Sequence, residues 1–147
     1  RREFRIWLSL EIHMKIPPSI PIYGQKIKGC KVTEANHMTT FFNTLRREYP
    51  EYAAIALHIR NEGKRTKQQM DREKIQGGFV TGAADIVIPG NPTFVCEMKS
   101  QSPQAKTSDE QIEFLLAAQS NGAFVCIALG HKAAMEAFLD WKDCAKL

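Results

Sequence analysis

Nowhere in the 147 residues does an apolar run approach the roughly 18 residues needed to span a bilayer, which argues against an integral membrane protein. Cysteine is scarce: Cys30, Cys96, Cys126 and Cys144 form no CxxC pair, so neither a disulfide framework nor a zinc site is indicated. Cys96 and Cys126 fall inside apolar, strand-like runs where a thiol serves as a small hydrophobe, a usage that fits a reducing cytosol. Internal repeats and low-complexity tracts are lacking, which leaves no sign of a repeat architecture. Charge of one sign does not dominate either. A net charge of +4 and a pI near 8.9 permit a polyanionic partner without demanding one. What remains, 44% hydrophobic and 24% charged residues, is the composition of one ordinary folded domain large enough to bury a core.

The most informative stretch is Gly82 to Lys99. Pro89-Gly90-Asn91-Pro92 is a turn, because Pro and Gly fix backbone angles that strands avoid. It separates two runs rich in Ile, Val, Phe and Thr, Ala84–Ile88 and Thr93–Lys99, which reads as a β-hairpin. Folding about that turn pairs residues whose numbers sum to about 181 or 182, setting Asp85 opposite Cys96 or Glu97. Alternation then places Val95, Glu97 and Lys99 on one face, and Phe94, Cys96 and Met98 on the other. Two carboxylates and an amine converge at one end of an apolar hairpin. Such charges are costly to bury unless paired or holding a cation, and apposed carboxylates suit a hard ion such as Mg²⁺.

Asp85 followed by Glu97-Met98-Lys99 on the next strand resembles the PD-(D/E)XK nuclease signature. Asn61-Glu62-Gly63, Gly82-Ala83-Ala84-Asp85 and a later helix bearing Gln111 resemble its VRR-NUC branch, over roughly Thr33 to Leu139. Ala84 stands where the superfamily motif has proline, a change to backbone shaping rather than to chemistry. The resemblance implies a single α/β domain, restriction-endonuclease-like, with a central mixed β-sheet flanked by helices. It implies Mg²⁺ or Mn²⁺ held by Asp85, Glu97 and the Met98 carbonyl, with Glu34 from the first helix completing the set. Lys99 would position or deprotonate the attacking water or steady the phosphate; the competing reading is a plain ion pair with Glu97 or Asp85. The branch further implies a small homodimer acting on branched or flapped DNA, with Holliday-junction resolution a known specialisation, in the cytoplasm of a bacterial host if phage-encoded.

Along the rest of the chain, residues 1–13 are either an appendage, with Met14 near the natural start, or a native extended arm. Residues 1–32 form the arm and 33–147 the nuclease-like domain. Three prolines at 17, 18 and 21 forbid a helix there, leaving an extended segment that packs on the domain or on a second subunit. Thr33 caps a helix reaching Tyr49, with Met38, Phe41, Phe42, Leu45 and Tyr49 as its apolar stripe. Glu34 sits on the buried edge of its first turn, where the helix dipole alone would favour an acid; His37 reads as a surface or satisfied core histidine. Pro50 ends that helix, and Ala53–Asn61 is expected as a strand with Ile55, Leu57 and Ile59 facing inward. Residues 60–74 carry six Lys or Arg against three acids. They are a solvated helix or loop, or else Lys64, Arg65 and Lys67 contact DNA phosphates; no aromatic is interleaved to stack on bases.

Ser108-Asp109-Glu110-Gln111 is a capping-box pattern opening a helix that runs to Asn121, with Ile112, Leu115 and Leu116 inward. Gln111 therefore has two offers of work, the cap or the active site, and one side chain is expected to take only one. Gly122 closes the helix, Ala123–Leu129 is an interior strand, and His131–Cys144 is a final amphipathic helix with Met135, Phe138, Leu139 and Trp141 inward. The order gives one mixed sheet covered by helices.

Overall fold

The computed structural model describes residues 16–60 and 66–145. Its elements, in order, are β1 (Ile22–Tyr23), α1 (Glu34–Glu48), α2 (Pro50–Ala53), β2 (Leu57–His58) and α3 (Lys67–Gln76). They continue as β3 (Ile86–Ile88), β4 (Phe94–Lys99), α4 (Asp109–Ser120), β5 (Phe124–Leu129) and α5 (His131–Cys144). The strands form one mixed sheet in the order β1-β5-β4-β3-β2, with helices on both faces. β4 is parallel to β5 and β5 to β1, while β3 and β2 run antiparallel to their neighbours. This is a mixed sheet covered by helices on both faces.

β4 lies mid-sheet with all six residues buried, so each of its faces must be covered. On one side Phe94, Cys96 and Met98 pack with Met38, Phe41 and Leu45 of α1 and with Ala133, Ala134, Ala137, Phe138 and Trp141 of α5. On the other, Val95 joins Val125 and Ile127 of β5, Ile112 and Leu115 of α4, and Ile20 and Ala84. The expected alternation along β4 holds. Ile20, at 2% exposed, carries residues 16–23 into this second layer, and β1 then pairs with β5. Trp141 is pinned by its Nε1–H, which donates to the Pro92 carbonyl at 2.7 Å, and its ring lies so near Gly90 that a Cβ there would approach it at 2.7 Å.

The expectation about Pro50 holds, and those about the next strand and Leu139 fail. Pro50 does end α1 by a residue, but it then opens α2 at a position where its missing N–H costs nothing. The strand expected over 53–61 shrinks to Leu57–His58, because Ala53 and the turn after it belong to α2 and its exit. Ile55 and Leu57 are 45% and 51% exposed, not inward: β2 is a sheet edge with little to cover it. Leu139 also points outward, since the small Ala133, Ala134 and Ala137 let α5 press its other side onto the sheet. Within the 60–74 region lies α3, capped by a reciprocal Thr66–Gln69 box, with none of its residues buried.

Candidate active site

The β3–β4 register places the acidic residues. Ile86 pairs with Cys96, Val87 with Val95 and Ile88 with Phe94. Each pair sums to 182, so Asp85, one residue before β3, is set against Glu97. Next to them, the Ile59 N–H donates to the Asp85 carbonyl at 2.7 Å, extending the β2–β3 pairing by one residue. Glu97 and Lys99 share the face of Val95, beneath α4, and are only 1% and 8% exposed. A strand that is apolar on both faces thus carries two ionisable side chains into the interior.

Their partners account for part of that cost. One Asp85 carboxylate oxygen, Oδ2, accepts the Met98 N–H at 2.9 Å across the strand ends. Lys99 Nζ stands 3.4 Å from Glu97 Oε1, the ion pair foreseen as the plain reading of the ExK triplet. The same Oε1 accepts a hydrogen bond from Gln111 Nε2 at 2.7 Å. Gln111 does not choose between its two offers. Its Oε1 accepts the Ser108 N–H at 2.9 Å, while the Ser108 hydroxyl accepts the Gln111 N–H at 3.2 Å. The amide has an acceptor end and a donor end, so one serves the capping box and the other Glu97. The expectation that one excludes the other was wrong for that reason.

The Asp85 loop is brought against this helix by Gly82. Its φ of +80° is a left-handed value, and a Cβ there would lie 2.7 Å from the Gln111 nitrogen. Ala84, where the motif has proline, is fully buried in the Val95–Ile112–Leu115 layer. Its small side chain has a packing role there.

Electrostatically, Glu97 is the unusual group. Its carboxyl is pushed up to about 9, by burial first and by the Asp85 charge second, with Lys99 pulling the other way. Its Oε2 is buried with no N–H or O–H donor against it, and a side-chain hydrogen bond with Asp85, which needs a shared proton, adds to the upward push. An orphaned carboxylate oxygen beside a second carboxylate fits a divalent cation, which would supply the missing ligand and reverse the proton preference. Among the described residues no three His, Cys, Asp or Glu side chains gather as a metal cluster, so the pair would need a backbone carbonyl or water besides.

Glu34 is exposed on the first turn of α1 and lines an open cleft of about 160 Å³ with Met38, His58, Ile59, Arg60 and Asp85. The sequence reading missed His58 and Arg60 as cleft residues; only the register of the edge strand β2 against β3 brings them there. The Met98 carbonyl belongs to the peptide unit between Met98 and Lys99 on β4. Lys67 is exposed at the start of α3. Lys64, Arg65 and the Asn61-Glu62-Gly63 piece lie outside the described residues, as do residues 1–13. His37 is a core histidine: 2% exposed, its Nδ1 faces the His131 N–H at 3.1 Å and His131 Nδ1 at 2.9 Å.

No protein-family model and no curated protein matches the chain. Among solved structures it is similar to a VRR_NUC domain protein, at 15% sequence identity and a TM-score of 0.61, over 76% of this chain and 88% of that one. At that identity the likeness is one of fold: the chain shares the mixed α/β fold of that VRR_NUC domain protein.

Proposed function

We propose that the protein is a divalent-metal-dependent endonuclease that hydrolyses DNA phosphodiester bonds, with branched DNA as its substrate. The observation that carries this reading is the Asp85–Glu97–Lys99 group, with Glu97 and Lys99 buried, Asp85 half-buried beside them, and one Glu97 oxygen without a donor. A buried carboxylate oxygen without a partner calls for a ligand, and beside a second carboxylate a bound cation supplies one. The nuclease-like fold supports it.

Asp85 and Glu97, with the Met98 carbonyl and water, would hold Mg²⁺ or Mn²⁺; Glu34 is exposed on the cleft wall rather than gathered with them, and would complete the set only by moving closer. Bound there, the cation would activate water for attack on phosphorus and neutralise charge on the leaving oxygen. Gln111 fixes the orientation of the Glu97 carboxylate through Oε1 and leaves Oε2 free for the cation. Lys99 stands beside that carboxylate, where its ammonium steadies the attacking water or the charged phosphate. Water adds to phosphorus, the bond to the leaving sugar oxygen breaks, and a proton passes to that oxygen. A homodimer, with two centres related by a twofold axis, would make the paired cuts that a four-way junction requires.

Cleavage of labelled four-way junctions, flaps, duplex and single strands in Mg²⁺, Mn²⁺ and EDTA tests the reading, with Asp85→Ala and Lys99→Ala alongside. Paired symmetric cuts, metal-dependent and reduced at least a hundredfold in both variants, are expected. Cutting of every substrate alike would remove the preference for branches. DNA binding with no cutting in any metal would leave an accessory protein in place of an enzyme.

A further inference from the structure

The strand directions put one more segment at the catalytic end of the sheet. β1, β5 and β4 are mutually parallel, so the chain leaves β1 at the end where β4 delivers Lys99. There it is fastened to the loop that follows Lys99. Ile27 N–H donates to the Gln101 carbonyl at 2.7 Å, and Gln101 Nε2 donates to the Gln25 carbonyl at 3.2 Å. Lys26 Nζ donates to the carbonyls of Pro103 at 3.2 Å and Ala105 at 2.9 Å. At its other end the segment becomes the Thr33 cap of α1, and the next residue, Glu34, lines the cleft with Asp85. Residues 26–33 therefore run along the rim of the site, from the Lys99 side to the Asp85 side.

This rim is basic. Residues 24–33 read Gly-Gln-Lys-Ile-Lys-Gly-Cys-Lys-Val-Thr, with three lysines and no acid, in a chain whose 20 Lys and Arg are otherwise nearly balanced by 16 acids. Lys26, Lys28 and Lys31 are all exposed. Ile27 to Cys30 is a turn closed by the Cys30 N–H on the Ile27 carbonyl at 3.1 Å. Gly29 supplies the positive φ of 79° at the turn's third position, which leaves Lys28 at the outer corner. The backbone is thus preset, with Lys26 tied to the Pro103 and Ala105 carbonyls, while the exposed Lys28 and Lys31 ammonium groups can meet solvent or ligand.

We propose that this rim is a phosphate track, in which Lys28 and Lys31 bind the backbone of the DNA whose scissile phosphate enters the cleft. The assignment rests on the nuclease reading above and adds a substrate contact to it. The physical reason is charge. The cleft itself is floored by carboxylates that repel a polyanion, and lysines on the rim offset that repulsion along the strand on either side of the reacting phosphate. Such contacts position the substrate and carry no base preference.

The test is the salt dependence of binding to a labelled duplex and a labelled four-way junction in Ca²⁺, for the full chain and for Lys28→Gln/Lys31→Gln. Each lost phosphate contact lowers the slope of log K against log salt by about 0.9 for duplex DNA, so the double variant should lose about two units. Lys28→Arg/Lys31→Arg should restore the slope. Lys142→Gln should leave it unchanged, since Lys142 ends α5 at the opposite end of the sheet. An unchanged slope in the glutamine double variant, with DNA still bound and cut in Mg²⁺, overturns the track and spares the nuclease. A lowered slope in a protein that never cuts sustains the track and removes the nuclease. Failure of the unaltered chain to bind DNA at low salt overturns the track outright.

Discussion

Glu97 concentrates the chemistry at the scale of single residues. A carboxyl raised from 4.5 to about 9 keeps its proton in the fold over a range where the unfolded chain has lost it. The folded state then binds more protons, so metal-free stability falls as pH rises between about 4.5 and about 9, by at most about 1.4 kcal/mol per pH unit from this group. Glu97→Gln keeps the shape and removes the titration. Melting in EDTA across this range should show a falling Tm in the parent chain and a flatter profile in the variant. Mg²⁺ should raise the parent Tm, more so at high pH as the proton is displaced, and leave the variant unmoved. A variant that retains the parent's slope would place the titration elsewhere. His37 works in the opposite sense: burial and the neighbouring His131 hold it below the ordinary imidazole range. Its contribution is present above pH 6.5 and is lost as pH falls below it, which confines that effect to the acid side.

Elements matter because the site is built where helix ends meet strand ends. The first turn of α4 is closed by Ser108 and Gln111, and the same Gln111 reaches Glu97, so the cap and the carboxylate are one hydrogen-bonded chain. Ser108→Ala removes the hydroxyl and should cost about 1 kcal/mol of stability. It should also loosen Gln111 and lower kcat, whereas Ser108→Thr, which restores the acceptor, should recover both. A kcat equal to the parent's at a lowered Tm would confine Ser108 to the cap. Gly82→Ala strikes from the other side. It meets both a positive φ and the backbone of Gln111, and should cost about 1–3 kcal/mol in denaturant unfolding. The N-terminus of α5 is treated differently: Gly130 offers no side chain, and His37 of α1 supplies the acceptor for the His131 N–H. A cap lent by a distant helix ties α1 to α5 over the same face of the sheet.

Taken whole, the molecule hangs on β4. Its two faces belong to two apolar layers, and neither can be removed without uncovering the strand. This predicts a single cooperative transition for the described domain. Far-UV circular dichroism and tryptophan fluorescence should report coincident unfolding midpoints. Phe138, fully buried between Phe94, Tyr49, Tyr52 and Trp141, is the sharpest lever on that unit. Phe138→Ala should cost about 3–5 kcal/mol and move both midpoints together. Separated transitions would show that the α4 layer holds β4 without the α5 layer.

The sequence by itself determined the elements whose signals are local. The β3–β4 hairpin was legible because Pro89–Pro92 marks its turn and period-2 alternation assigns each side chain to a face. The helices α1, α4 and α5 were legible because Thr33 marks the start of α1, Ser108 and Gly122 the two ends of α4, and the apolar residues of all three repeat at helical spacing. The Asp85–Glu97–Lys99 group followed from the same arithmetic. Tertiary structure decided what depends on a distant partner. Leu57 and Ile55 alternate like an inward strand, yet at and just before the edge strand they remain about half exposed among the described residues, and burial is a property of neighbours rather than of pattern. His58 and Arg60 joined the cleft only through the β2–β3 register, which no turn signal fixes. Gln111 could serve cap and carboxylate together because α4 crosses the Glu97 face at the height of its first turn. Local periodicity states which way a side chain points; only the folded chain states what stands there to meet it.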